Sequence, residues 1–150
     1  MALLAASERE SAQMEVAARG FQWDEALNIV QRAEDTFNRG DVDAILNRYA
    51  EDVVIRFSGV PEIQGKAAAE RFLRARFARQ NNYRLKKTLF MVEGFKIGAT
   101  YTASWEDVRT GKPMLGRGAE FWQYRDAKLQ LWDAAMTVWE AGADPSTMFL

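Results

Sequence analysis

The chain has 150 residues, 48% of them apolar and 12% aromatic, with 20 basic and 21 acidic side chains. That length and near-neutral charge fit one globular domain, long enough for a core and an enclosed pocket. It has no cysteine and no histidine, which excludes disulfides, thiolate metal sites and cysteine nucleophiles, and removes the commonest general base and the usual partner of a serine nucleophile.

Met1 to Ala6 is apolar but short, has no basic segment before it and runs directly into Ser7-Glu8-Arg9-Glu10, unlike a secretory leader. No apolar stretch approaches the ~20 residues of a membrane helix, so the expected location is the cytoplasm, away from the membrane. Residues 1 to 23 read as an N-terminal extension anchored by Phe21 and Trp23, and residues 24 to 150 as the domain. Asp24 is the expected N-cap of a first helix, with Glu25 in its first turn, Ala26, Ile29, Val30, Ala33 and Phe37 at three-to-four spacing, and Gly40 as its stop. Asp41 then caps a short second helix with the stripe Val42, Ile45, Leu46 and Tyr49, and the brief loop between them suits a helical hairpin.

Val53 to Phe57 is β-branched and aromatic and ends at Ser58-Gly59 and Pro61, which predicts a short strand. A third helix is expected from about Lys66 to Gln80, with Ala69, Phe72, Leu73, Arg76 and Phe77 on one side and Asn81-Asn82 as its stop. The period then becomes two. Strands are predicted near 83 to 92, 96 to 107, 115 to 125 and 128 to 139, separated by Glu93-Gly94, Thr110 to Pro113 and a tight Asp126-Ala127 turn. Helices first and a strand meander after them predict an α+β fold, with three helices packed on the concave face of a curved antiparallel sheet.

This order, together with Phe37-Asn38-Arg39-Gly40-Asp41-Val42-Asp43-Ala44-Ile45, Tyr49-Ala50-Glu51-Asp52-Val53 and Ile63-Gln64-Gly65-Lys66, resembles the nuclear-transport-factor-2-like (NTF2-like) superfamily of cone-shaped folds, which holds the SnoaL-like cyclases and ketosteroid isomerase. The likeness spans about residues 24 to 140. Phe72 to Gln80 and Tyr83-Arg84-Leu85 resemble an uncharacterised bacterial SnoaL-like subgroup. Such phrases identify a fold far better than a reaction.

In a sheet covered on one face, every second residue points inward. On the strand 96 to 107 the bulky Ile97, Tyr101 and Trp105 share a parity with Ala99 and Ala103, which makes that face the inner one. By the same rule Trp122 and Tyr124 bring Glu120 inward on the next strand, and Trp132, Ala134 and Met136 face inward on the last. The predicted result is a concave lining of Tyr101, Trp105, Trp122 and Trp132, roofed by Tyr49, Phe57 and Phe72, with one carboxylate among the rings. Two readings of the rings stand side by side: a solid core, or a cavity opened by the small Ala99, Ala103 and Ala134 between them.

Burial among indoles disfavours a charged carboxylate and raises its pKa unless a cation or several donors compensate. Glu120 is therefore the candidate acid or base, and the competing reading is an internal pair with Arg76, Arg117, Tyr49 or Tyr101. Ketosteroid isomerases use a tyrosine, an aspartate base and a protonated acid together. The resemblance puts Ala33 and Phe57 where the tyrosine and the base would be, and only Glu120 matches, as Glu for Asp, so that isomerisation is not expected. Two functions remain. One is acid and base chemistry of isomerase, dehydratase or cyclase type on an apolar, ring-bearing molecule, with Arg76 or a tyrosine polarising an oxygen; the other is ligand binding or partner interaction without catalysis.

Residues 66 to 87 carry eight basic side chains and one acidic. Spread around a helix in an otherwise acidic chain, they read as a solvated face paired with acidic neighbours, not as a nucleic-acid surface. No helix follows Gly116-Arg117-Gly118 to receive a phosphate, Glu51-Asp52 and Glu106-Asp107 form no metal cage, and Ser104 has no histidine to activate it, so neither metal nor cofactor is expected. The outward set Thr100, Thr102, Ser104, Phe121, Leu131, Ala135 and Thr137 suits a pairing surface, and the resemblance implies a homodimer joined back to back through the sheet.

Overall fold

The computed structural model describes residues 7 to 11, 14 and 19 to 143. Most of the extension expected over 1 to 23, and the tail Met148-Phe149-Leu150, lie outside the described residues. Helix α1 (Trp23–Asn38) has Gln22 as its N-cap in place of the expected Asp24, because the Glu25 carboxylate turns back and accepts the Gln22 backbone N–H at 2.8 Å. Asp24 is left in the first turn, where its charge complements the positive end of the helix dipole. Gly40, at φ +62°, closes the helix. Asp41 caps α2 (Val42–Leu46) as expected, accepting the Ala44 N–H at 3.0 Å.

Strand β1 (Tyr49–Phe57) begins earlier than expected, and Tyr49 opens it instead of closing the second helix. Its first residue pairs with Leu129 across the sheet. The two-residue β2 (Ile63–Gln64) folds back on β1, and α3 (Lys66–Arg79) follows. Strand β3 (Gln80–Glu93) starts directly at the helix end. Asn82, with φ +53°, and a register shift between Asn81 and Arg84 absorb the change of direction. Strands β4 (Lys96–Asp107), β5 (Pro113–Arg125) and β6 (Lys128–Glu140) complete the meander.

The six strands form one curved, unclosed sheet in the order β2-β1-β6-β5-β4-β3. Every neighbour pair is antiparallel except β1 with β6, which run parallel through Ile55 opposite Trp132 and Phe57 opposite Ala134. Chain order explains the exception: α3 and the whole meander separate the two strands, and no hairpin forces them to oppose. Period-two burial is plain on β4, where Ile97, Ala99, Tyr101, Ala103 and Trp105 are buried and Thr100 and Thr102 are exposed.

The core lies between that inner face and the helices, which supply Ala26, Val30 and Phe37 from α1, Ile45 and Leu46 from α2, and Ala69 and Leu73 from α3. Each large aliphatic side chain buried there contributes about 1.5–3 kcal/mol of transfer free energy. Before α1, the Phe21 N–H donates to the Gly94 carbonyl at 2.8 Å, and the Phe21 ring meets Phe95 and Tyr124 edge-on at 5.2 and 5.3 Å. Trp23, expected to anchor alongside it, stands 52% exposed. No helix among the described residues is long and apolar enough to cross a membrane.

Candidate active site

Glu120 lies midway along β5, between Ala99 of β4 and Ala134 of β6. Two methyl side chains beside it leave space for the carboxylate, which is turned inward and 1% exposed. Both its oxygens are taken: Lys87 Nζ donates to Oε1, and Trp132 Nε1 donates to Oε2 at 2.9 Å. The cation and the donor that a carboxylate among indoles requires are thus both present. Among the described residues neither Arg76, Arg117, Tyr49 nor Tyr101 hydrogen-bonds it, and Arg117 is exposed on the opposite face of the sheet.

Lys87 is the residue that the sequence reading missed, having placed it on the solvated basic face. It is buried, on β3, and its ammonium sits 4.9 Å from the Tyr101 ring centre, 5.1 Å from Trp122 and 5.7 Å from Phe37. Aromatic faces attract a desolvated cation, so three rings and one carboxylate replace the water it has lost. Its backbone N–H donates to the Glu34 carboxylate at 2.7 Å, which fixes the strand against α1. Burial still pulls the Lys87 ammonium below the ordinary lysine value, against the opposing pull of Glu120. A detectable signal was available, because Tyr83, Leu85, Lys87 and Leu89 share one parity and all four are buried. Other members of the basic segment do pair at the surface: Lys66 with Glu51 at 3.3 Å, and Arg74 with Glu70 and Asp43 at 2.8 Å each.

Two small spaces touch the pair. One, of about 30 Å³, is lined by Tyr49, Trp122, Tyr124 and Trp132 with Ala33 and Arg48 behind them. The other, about 10 Å³, lies among Phe57, Arg76, Tyr83, Tyr101 and Trp132. Each is of the size of one or two waters. A far larger cavity, about 340 Å³, opens on the other side of Phe57 and Arg76 and is lined also by Phe72, Trp105, Met114 and Met136. Of the expected lining, then, Tyr49, Phe57, Arg76, Tyr101, Trp122 and Trp132 border space that reaches Glu120, whereas Phe72 and Trp105 belong to the outer cavity. Close ring packing separates the two regions, with Trp132 at 5.7 Å from Phe57 and 6.4 Å from Phe72.

The hydroxyls respond to this dryness. Burial pushes Tyr49 and Tyr101 well above the ordinary phenol range, and Tyr124 up to about 12. All three stay protonated at neutral pH. Among the described residues the Tyr101 oxygen, buried beside Lys87 and Glu120, has no hydrogen-bond partner.

Residues 19 to 138 match the family of proteins of unknown function DUF1348. The chain belongs to that family. No curated protein matches it. A protein of Xanthomonas campestris pv. campestris assigned as a polyketide cyclase is 28% identical, over 73% of this chain and 88% of its own, with a TM-score of 0.66. An NTF2-like protein of unknown function from Burkholderia pseudomallei is 17% identical over 73% of this chain and 88% of its own, at a TM-score of 0.65. An LEH-like epoxide hydrolase of M. tuberculosis is 15% identical over 75% and 82%, at 0.60. The fold of this DUF1348 protein is that of the NTF2-like, SnoaL-like superfamily, as the sequence resemblance implied.

Ala33 borders the larger of the two spaces beside Glu120, and Phe57 borders the smaller. The chemistry available in this DUF1348 chain is that of a buried carboxylate and ammonium ringed by phenols and indoles.

Proposed function

We propose that this protein takes a small apolar, ring-bearing molecule into its cone and moves a proton on it, with Glu120 as base and Lys87 as charge partner. The observation that carries this reading is the buried Lys87–Glu120 pair at the centre of the aromatic lining, with Phe57 and Arg76 bordering both the small space beside it and the outer cavity. A carboxylate held out of water accepts a proton from carbon adjacent to a carbonyl more readily than a hydrated one does. As the carbonyl oxygen takes up the negative charge, the Tyr101 hydroxyl, protonated and unpartnered, and the Lys87 ammonium would stabilise it. Returned from Glu120 to the same carbon or another, the proton completes an isomerisation; given to a β-hydroxyl that leaves as water it completes a dehydration, and given to the alkoxide formed when the enolate adds to a second carbonyl of the same molecule it completes a cyclisation. The relative assigned as a polyketide cyclase supports the same class of chemistry.

Exchange of such a proton for deuterium needs no knowledge of the final product. Ring-bearing ketones incubated with the protein in heavy water and followed by proton NMR should lose their α-hydrogen signals. Glu120→Gln should slow that loss by about 10²- to 10⁴-fold, and so should the pair replacement Lys87→Leu/Glu120→Met, which keeps the interior filled. Exchange at the wild-type rate in either folded variant would overturn the reading.

The water-sized space at Glu120, with both its oxygens already bonded, favours a second reading: a domain that binds such a molecule in the outer cavity without changing it. Ligand-dependent quenching of indole fluorescence with no exchange would select it. In either case the chain is proposed to work in the cytoplasm as a homodimer joined through the outer sheet face, where Phe90, Met91 and Phe121 are exposed.

A further inference from the structure

We infer that the mouth of the cone is a carboxylate-binding subsite with Arg76 as its anion receptor, so that the ligand is an apolar monocarboxylic acid. The inference rests on the reading above only for the apolar body of the ligand. The mouth cavity, about 340 Å³, is an order of magnitude larger than the spaces that touch Glu120. Its walls are mainly apolar, from Phe57, Phe72, Trp105, Met114, Met136 and Val138. That is the composition of a small-molecule site in which a few polar groups set orientation.

The polar groups of the mouth are mostly engaged. Arg79 and Asp107 hold each other at 3.1 Å, and the Ser58 hydroxyl oxygen accepts the Met136 N–H at 2.9 Å. Arg76 is different. Among the described residues no carboxylate pairs with it, and its Nη1 is buried with no hydrogen-bond partner. A buried guanidinium nitrogen left without an acceptor is costly, and it is aligned here by stacking 4.8 Å above the Phe57 ring. Arg76 also borders the small space beside Glu120, and the Tyr83 hydroxyl oxygen, an acceptor for its guanidinium, lies beside it, leaving Nη1 without a partner.

Arg76 Nη1 is thus a buried donor in the cavity wall with no acceptor of its own among the described residues. A carboxylate supplies two oxygens at the spacing of the guanidinium fork. A phosphate dianion fits less well, because among the described residues the second cation of the mouth, Arg79, is already neutralised by Asp107. Arg76 and Arg79 both lie in the last turn of α3, where the helix dipole favours positive charge and helps hold an unpaired arginine in place.

Binding can be read without turnover. The full chain is titrated with phenylbutyrate and with its uncharged amide while indole fluorescence is followed, Trp105 being in the cavity wall. The acid should bind saturably and at least tenfold more tightly than the amide. Arg76→Met should abolish that preference, and Arg76→Lys, which keeps the charge and loses the fork, should retain part of it. Arg117→Met, which removes the same charge from the outer face, should leave it intact. Equal affinity for acid and amide, absence of binding by either, or an unchanged preference in folded Arg76→Met would overturn the inference. Loss of the acid preference with deuterium exchange intact would leave the Glu120 reading standing; acid binding without exchange would do the reverse.

Discussion

Glu120 and Lys87 show how a buried ion pair is balanced residue by residue. Taking both charges out of water costs several kcal/mol each, and the attraction between them recovers this only when the other hydrogen-bonding positions are also met. Trp132 meets one on the carboxylate side, and three aromatic faces surround the ammonium. Removing one partner strands the other, so Glu120→Gln should cost about 3–5 kcal/mol, while Lys87→Leu/Glu120→Met should fold with nearly wild-type stability. The pair also sets a pH dependence. Burial holds Lys87 below its ordinary value of 10.5, so between its folded value and 10.5 the unfolded chain binds a proton that the folded chain does not. Stability therefore rises with pH across that window and stops rising above it. Urea denaturation at about pH 7 and about pH 10 should show the wild type gaining on the double variant. A constant difference between the two would refute this origin.

At the scale of elements, local signals and strand parity account for most of the architecture. The hairpin turn between β5 and β6 is an instance where the local chemistry is imperfect. Asp126 and Ala127 lie at φ +50° and +61°, between the paired Arg125 and Lys128. A two-residue turn of this hand needs positive φ at both positions, which glycine adopts freely and alanine at a cost of about 1–2 kcal/mol. Ala127→Gly should stabilise the protein by about 1 kcal/mol and raise its Tm by about 2–4 °C. A lower Tm would mean that the strain is relieved elsewhere. Parity applied to β4, β5 and β6 located the inner face; the same rule on β3 would have found Lys87, but a run of basic side chains masked the alternation of Tyr83, Leu85 and Leu89.

For the whole molecule, the two faces of the sheet divide the work. The inner face holds the rings and the pair; the outer face carries Phe121 at 60% and Phe90 at 71% exposure, close to Met91. Gly98 permits this arrangement, since a Cβ there would lie 2.6 Å from Met91 Cγ. An exposed apolar patch of this kind supports the two-fold homodimer proposed above. Sedimentation at micromolar concentration should find a dimer, and Phe121→Glu should convert it to monomer. A wild-type monomer would end that proposal.

The fold was legible in the sequence because it follows from short-range rules: capping at Asp41, the glycine stop at Gly40, and alternation along each strand of the meander. Those rules placed Glu120 on the inner face, where it is buried beside Trp122 and Trp132, while Trp105 lies on the outer cavity. They are blind to pairing across the sheet and to volume. That Lys87 of β3 meets Glu120 of β5, that β1 lies parallel to β6, and that the spacious cavity opens at Arg76 while the carboxylate sits among closely packed rings are properties of side chains far apart in sequence. Only the tertiary structure decides them, because a charge finds its partner and a ring its neighbours by position in space.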